Sequence, residues 1–130
     1  MTTETPARIL VVEDNPKNMK LVRDVLEFSG YEVIEATSGE DGVRLAEEAL
    51  PDLILMDLQL PGIDGAEALR RIRVDPRAHD VPVVAVTAFA MEADRERAYA
   101  SGFTGYVEKP INVRRFTQQV RDFLDLGEGS

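Results

Sequence analysis

Four polar segments of this chain each follow a short apolar run. Glu13-Asp14 follows Ile9-Leu10-Val11-Val12, and Asp57 follows Leu53-Ile54-Leu55-Met56. Thr87-Ala88 follows Val83-Val84-Ala85-Val86, and Lys109-Pro110 follows Tyr106-Val107-Glu108. Three carboxylates brought together repel one another, so either one keeps its proton or a cation joins them. Magnesium suits such a place, because it takes oxygen ligands, keeps several waters and uses one or two carboxylates beside a phosphate. A hydroxyl and an ammonium nearby would make a phosphate site next to the cation site. Singly, each residue has a plainer reading. Acids commonly open helices, Asp57 could cap the turn at Leu60-Pro61-Gly62, threonine suits strands, and a loop lysine is usually surface charge. Their shared placement gives the set its weight.

That placement depends on the elements that carry them. The apolar runs at 9–12, 53–56 and 83–86 read as central strands buried on both faces. The runs at 31–36 and 104–108 are more polar or shorter and suit sheet edges. Helix signals fill the gaps. Asn15-Pro16 supplies an N-cap and a first-turn proline ahead of Val22, Val25 and Leu26, with Gly30 as the stop. Ser38 with Asp41 opens a helix that buries Val43, Ala46 and Ala49, and Asp64 with Glu67 opens one that buries Leu69 and Ile72. Asn112 precedes the stripe Val113, Phe116, Val120, Phe123 and Leu124. The segment 91–101 is helical in composition but poor in large apolar residues, so it buries little and is a candidate moving part.

Five strands alternating with five helices predict right-handed crossovers and a parallel sheet covered on both faces. The expected fold is α/β, a flavodoxin-like (βα)5 three-layer sandwich with strand order 2-1-3-4-5. That order puts the polar strands at the edges. The C-terminal strand ends then share one edge, where ligand crevices form in such sheets. The chain divides as a tail at 1–7, one domain at 8–126 and a tail at 127–130.

Composition narrows the function. The chain has 130 residues, 44% of them apolar, which fits one soluble globular domain. A net charge of −9 argues against a nucleic-acid surface. Cysteine is absent, which excludes disulfides and thiolate chemistry. No signal peptide or spanning segment is read, so a cytoplasmic protein is expected. His79 lies in a polar loop and is assigned no role.

The acids, Asp57, Thr87 and Lys109-Pro110, in this order over 8–124, resemble the receiver domain of bacterial two-component response regulators. The string from Asp52 through Asp57 and Pro61 to Gly65 carries much of that likeness. The resemblance implies an aspartyl phosphate formed on Asp57 in a Mg2+-dependent reaction. Asp14, Asp57 and the Gln59 backbone carbonyl would ligate the metal, with Glu13 acting through a bound water. Lys109, Thr87 and the backbone of Ala88 and Leu58 would meet the phosphoryl oxygens. The Lys109-Pro110 bond is expected to be cis. Thr87 and Tyr106 would form the switch, while Gln59 and Phe89 would tune the lifetime of the phosphate.

The expected protein is a signalling phosphoacceptor that promotes its own phosphorylation and dephosphorylation. Its strings 12–20 and 86–91 are similar to the DivK type of single-domain regulator and to receivers of hybrid kinases. The implied partners are a sensor histidine kinase or histidine phosphotransfer protein, docked on Lys17 to Leu26 and the loop at 110–112, and a downstream signalling protein. Neither DNA nor membrane is an expected partner. The protein is expected to be a monomer, or a weak dimer through the 91–125 face when phosphorylated. A receiver fold that binds without phosphorylation remains a rival. A haloacid-dehalogenase-like phosphatase is disfavoured, because it would need an acid where Gln59 stands.

Overall fold

The computed structural model describes residues 6–78, 80–88 and 91–128. Phe89, expected to tune the phosphate lifetime, and His79, assigned no role, lie outside the described residues. The strands are β1 (Arg8–Val12), β2 (Glu32–Ala36), β3 (Leu53–Asp57), β4 (Val83–Thr87) and β5 (Gly105–Glu108). The helices are α1 (Pro16–Phe28), α2 (Gly39–Ala49), α3 (Gly65–Val74), α4 (Glu92–Ala100) and α5 (Val113–Glu128), with a 3-10 turn at Pro76–Ala78.

All strand pairs are parallel, and the order is β2-β1-β3-β4-β5, the predicted one. Alternate residues of each central strand serve opposite layers. Leu10, Val12, Ile54, Met56, Val83 and Ala85 join a core with α2, α3 and α4. Ile9, Val11, Leu53, Leu55, Val84 and Val86 join a second core with α1 and α5.

The predicted caps form. Asn15 Oδ1 accepts from Lys17 N and Asn18 N, Ser38 Oγ from Asp41 N, Asp64 Oδ1 from Glu67 N, and Asn112 Oδ1 from Arg115 N. Each satisfies a helix N–H that has no partner inside its own helix.

Three details differ from the sequence reading. Val113, placed in the buried stripe, is 50% exposed because it starts α5 beyond the reach of the sheet. Met19, which was not singled out, belongs to the core of α1. The helix α5 runs through Glu128, so 127–128 are helical rather than tail.

Candidate functional site

The shared sheet edge brings the chemistry together. Glu13 is the first residue after β1, and its N–H continues the ladder to Ala36 O at 2.9 Å. Asp57 ends β3 and Thr87 ends β4, and Asp57 stands opposite Val86 in the register. Lys109 follows β5, with its N–H donating to Thr87 O at 2.8 Å. The Lys109-Pro110 peptide bond is cis. These backbone bonds place three buried polar residues, Glu13 (4% exposed), Asp57 (6%) and Thr87 (1%), beneath one opening.

Lys109 Nζ bridges two of the acids, at 2.8 Å from Glu13 Oε1 and 3.0 Å from Asp57 Oδ2. The other oxygens are held by the backbone. Asn15 N donates to Glu13 Oε2 at 3.0 Å, and Gln59 N donates to Asp57 Oδ1 at 2.9 Å. Burial pushes the Glu13 carboxyl above its usual range, against the lowering effect of its bonds to Lys109 and Asn15. Burial alone would lower Lys109, but its hydrogen bonds to Glu13 and Asp57 outweigh that and hold the ammonium charged. The direction for Lys109 follows from geometry, since it sits between two carboxylates.

Carboxylate oxygens of Glu13, Asp14 and Asp57 all lie within 4.8 Å of one another, and Asp14 is exposed at the mouth. The acids outnumber the single ammonium, so excess negative charge remains where Asp14 meets solvent. An all-oxygen donor set of this kind fits a hard divalent cation rather than a thiolate or imidazole metal.

Around this centre the other predicted residues take up varied positions. Ala88 is exposed, directly after Thr87. Leu58 N donates to Val86 O at 3.3 Å, so the strand ladder already engages that amide. Gln59 is exposed beside Asp57. Tyr106 is 8% exposed and packs with the α3 and α4 core, so it is more buried than an ordinary edge-strand aromatic. Its Oη is buried with no hydrogen-bond partner among the described residues, and the Arg95 guanidinium lies 5.6 Å above the ring centroid.

Sequence reasoning missed two contacts. It placed Glu13 on a metal-bound water and did not anticipate its bond to Lys109, 96 residues away. It also gave no part to Glu40, whose carboxylate reaches the loop after β3. Neither has a local signal, because both contacts exist only after strand order is set.

Residues 9–121 match the response regulator receiver domain family. The chain belongs to that family. The receiver is 46% identical over 119 residues to the polar-differentiation response regulator DivK of Brucella anthropi, covering 92% of this chain and 97% of the relative. Among solved structures it is similar to the receiver domain of a sensor histidine kinase from Pseudomonas aeruginosa. That domain was crystallised with a magnesium ion coordinated in the active site cleft, and the match has a TM-score of 0.86 and 36% identity over 92% of this chain and 98% of that one. A CheY-like receiver domain protein from Methanospirillum hungatei matches with a TM-score of 0.86 and 28% identity, covering 95% of this chain and 98% of the other. Among the described residues of the receiver, no helix is long and apolar enough to cross a membrane.

Proposed function

We propose that this receiver acts as a response regulator and accepts a phosphoryl group on Asp57 from the phosphohistidine of a kinase or phosphotransfer protein. The observation that carries the reading is the buried Asp57 carboxylate, with Lys109 Nζ at 3.0 Å and two further acids within 4.8 Å. In the transfer, an Asp57 oxygen forms a bond to phosphorus as the phosphorus–nitrogen bond of the donor breaks, and the nitrogen keeps the electron pair. The product is an acyl phosphate.

Such transfers rely on positioning and on stabilising charge at the phosphoryl oxygens. Lys109 supplies a fixed cation, and the Thr87 hydroxyl and Ala88 N–H supply donors from the end of β4. Magnesium, held by Asp14, Asp57 and the Gln59 carbonyl with Glu13 behind, would offset the crowded negative charge. Ala88, small and exposed, would leave room for a bulky donor. The donor protein would dock on the exposed side of the Lys17 to Leu26 stretch and on the 110–112 loop.

The output reading rests on Thr87 and Tyr106. Thr87 would turn toward the phosphoryl group, and the change would pass to the α4–β5 surface as a shift between two states. Gln59 and Phe89 would set water access to the acyl phosphate. The match to nearly the full length of DivK supports regulation through protein contacts, in the cytoplasm, by allosteric control of another kinase or by draining phosphoryl groups.

The test is intact mass after incubation with acetyl phosphate, with and without magnesium, and with Asp57→Asn as control. A magnesium-dependent adduct that the variant lacks is the expected result. An adduct that persists in Asp57→Asn would overturn the assignment. Asp14→Asn is expected to weaken magnesium binding by titration, and unchanged affinity would remove it from the ligand set.

A further inference from the structure

We propose that Glu40 is a positioning residue for phosphoryl transfer, holding in place the loop that follows Asp57. The inference rests on the reading of Asp57 as phosphoacceptor and adds a residue that no part of that reading uses.

The loop from Leu58 to Asp64 lies between two helix starts. On one side, α3 presses on the phosphoacceptor's own backbone, since a Cβ on Gly65 would come within 2.9 Å of Asp57 O and 3.1 Å of Leu58 Cα. On the other side, the first turn of α2 closes against the loop. A Cβ on Gly39 would lie 2.6 Å from Ile63 Cγ1 and 2.7 Å from Ile63 O. The Glu40 carboxylate covers Gly62 so closely that a Cβ there would meet Oε2 at 2.6 Å and Oε1 at 2.8 Å. Gly62 also has φ +77, a conformation that favours glycine.

Hydrogen bonding follows the same layout. Gln59 N is tied to Asp57 Oδ1 at 2.9 Å, and Ile63 N donates to Glu40 Oε2 at 3.4 Å. From Leu60 to Ile63, this second bond is the hydrogen-bonded tie to another element that the described residues show. Glu40 itself is exposed, so its side chain is not there to fill the core. Its effect passes through the loop to the Gln59 backbone, which faces Asp57. If the Ile63 end slides, both the Gln59 amide and the Gln59 carbonyl move relative to the Asp57 carboxylate. A single ångström of misplacement is enough to slow a positioned reaction.

The test compares Glu40→Ala with Glu40→Gln, which keeps an acceptor oxygen while removing the charge. In the metal-free protein, backbone amide resonances of Ile63 and Gln59 should shift in Glu40→Ala and stay near wild type in Glu40→Gln. With acetyl phosphate and magnesium, the initial rate of adduct formation should fall about threefold in Glu40→Ala, the scale of one exposed hydrogen bond, and recover in Glu40→Gln. A purely structural role would lower the thermal midpoint while leaving the Gln59 amide in place, and that result would overturn the proposal. Equal behaviour of the two variants would also overturn it, since charge rather than the bond would then matter. If wild type accepts no phosphoryl group, the reading of Asp57 fails and the role in transfer with it, while the amide comparison separately decides whether Glu40 holds the loop.

Discussion

The crevice and the helix α4 lie next to each other on the same sheet and are built in opposite ways. In the crevice, Glu13, Asp57 and Thr87 are almost wholly buried, and backbone bonds from Asn15 and Gln59 fix the carboxylates against Lys109. An unpaired charge in such a place is costly, so the groups hold one another in position. In α4, Ala98 is the one buried residue, and its N-cap, Met91, makes no side-chain hydrogen bond. What ties it down is modest. Arg95 reaches Glu108 at 3.5 Å, with both side chains half exposed, and lies over the Tyr106 ring. Surface pairs of this kind contribute about 0–1 kcal/mol. The contrast teaches a division of labour. On the proposed function, a charge added in the tightly held region would be felt by an element held at little cost, with the buried Tyr106 lying between the two.

The most severe way to break this contrast is Asp57→Asn. It should abolish the phosphoryl adduct by mass and leave α4 insensitive to acetyl phosphate. A residual α4 response would show that the two regions are not coupled through Asp57.

Lys109→Met comes next. It strands two buried carboxylates, and should cost roughly 2 kcal/mol in metal-free urea unfolding, less than a fully buried pair because Lys109 retains some exposure. Added magnesium should restore part of the loss. Unchanged stability would mean that the crevice is not held by this bridge.

Thr87→Ala should still take up phosphate but weaken the shift of amides across 91–108. A response equal to wild type would remove Thr87 from the coupling.

The Glu13 carboxyl gives a subtler effect. Its folded pKa lies above the usual 4.5, chiefly through burial. Above pH ~4.5 the folded state therefore binds more protons than the unfolded one, and stability falls as pH rises through that interval. In metal-free buffer, the denaturation midpoint of wild type should decline more steeply than that of Glu13→Gln as pH rises above about 4.5. Equal slopes would show that burial does not penalise this acid.

The smallest effect sharpens the other side. Met91→Asp should supply the missing cap, worth about 1 kcal/mol. It should slow amide exchange within α4 about fivefold, with α1 and α5 unchanged. No slowing would mean that α4 is held by something other than its own weak start.

Much of this architecture could be read from the chain. The uninterrupted runs at 9–12, 53–56 and 83–86 read as strands buried on both faces, and they are. Asn15, Ser38, Asp64 and Asn112 marked helix starts because capping depends on residues three or fewer positions away. The site residues were legible for a related reason, since in a parallel sheet each strand's last residue reaches the same edge. Local patterning thus determined the elements and set the site residues at strand ends, and it agreed with the strand order that the pairing decided. Contacts between distant segments were decided by tertiary structure alone. Lys109 takes hold of Glu13 across 96 residues, the Glu40 carboxylate settles on Gly62, and Tyr106 buries a hydroxyl with no partner among the described residues. These depend on distances of a few tenths of an ångström between elements that carry no sequence signal for one another. Burial, and with it the charge state of Glu13 and Lys109, exists only once both helical layers have closed over the sheet.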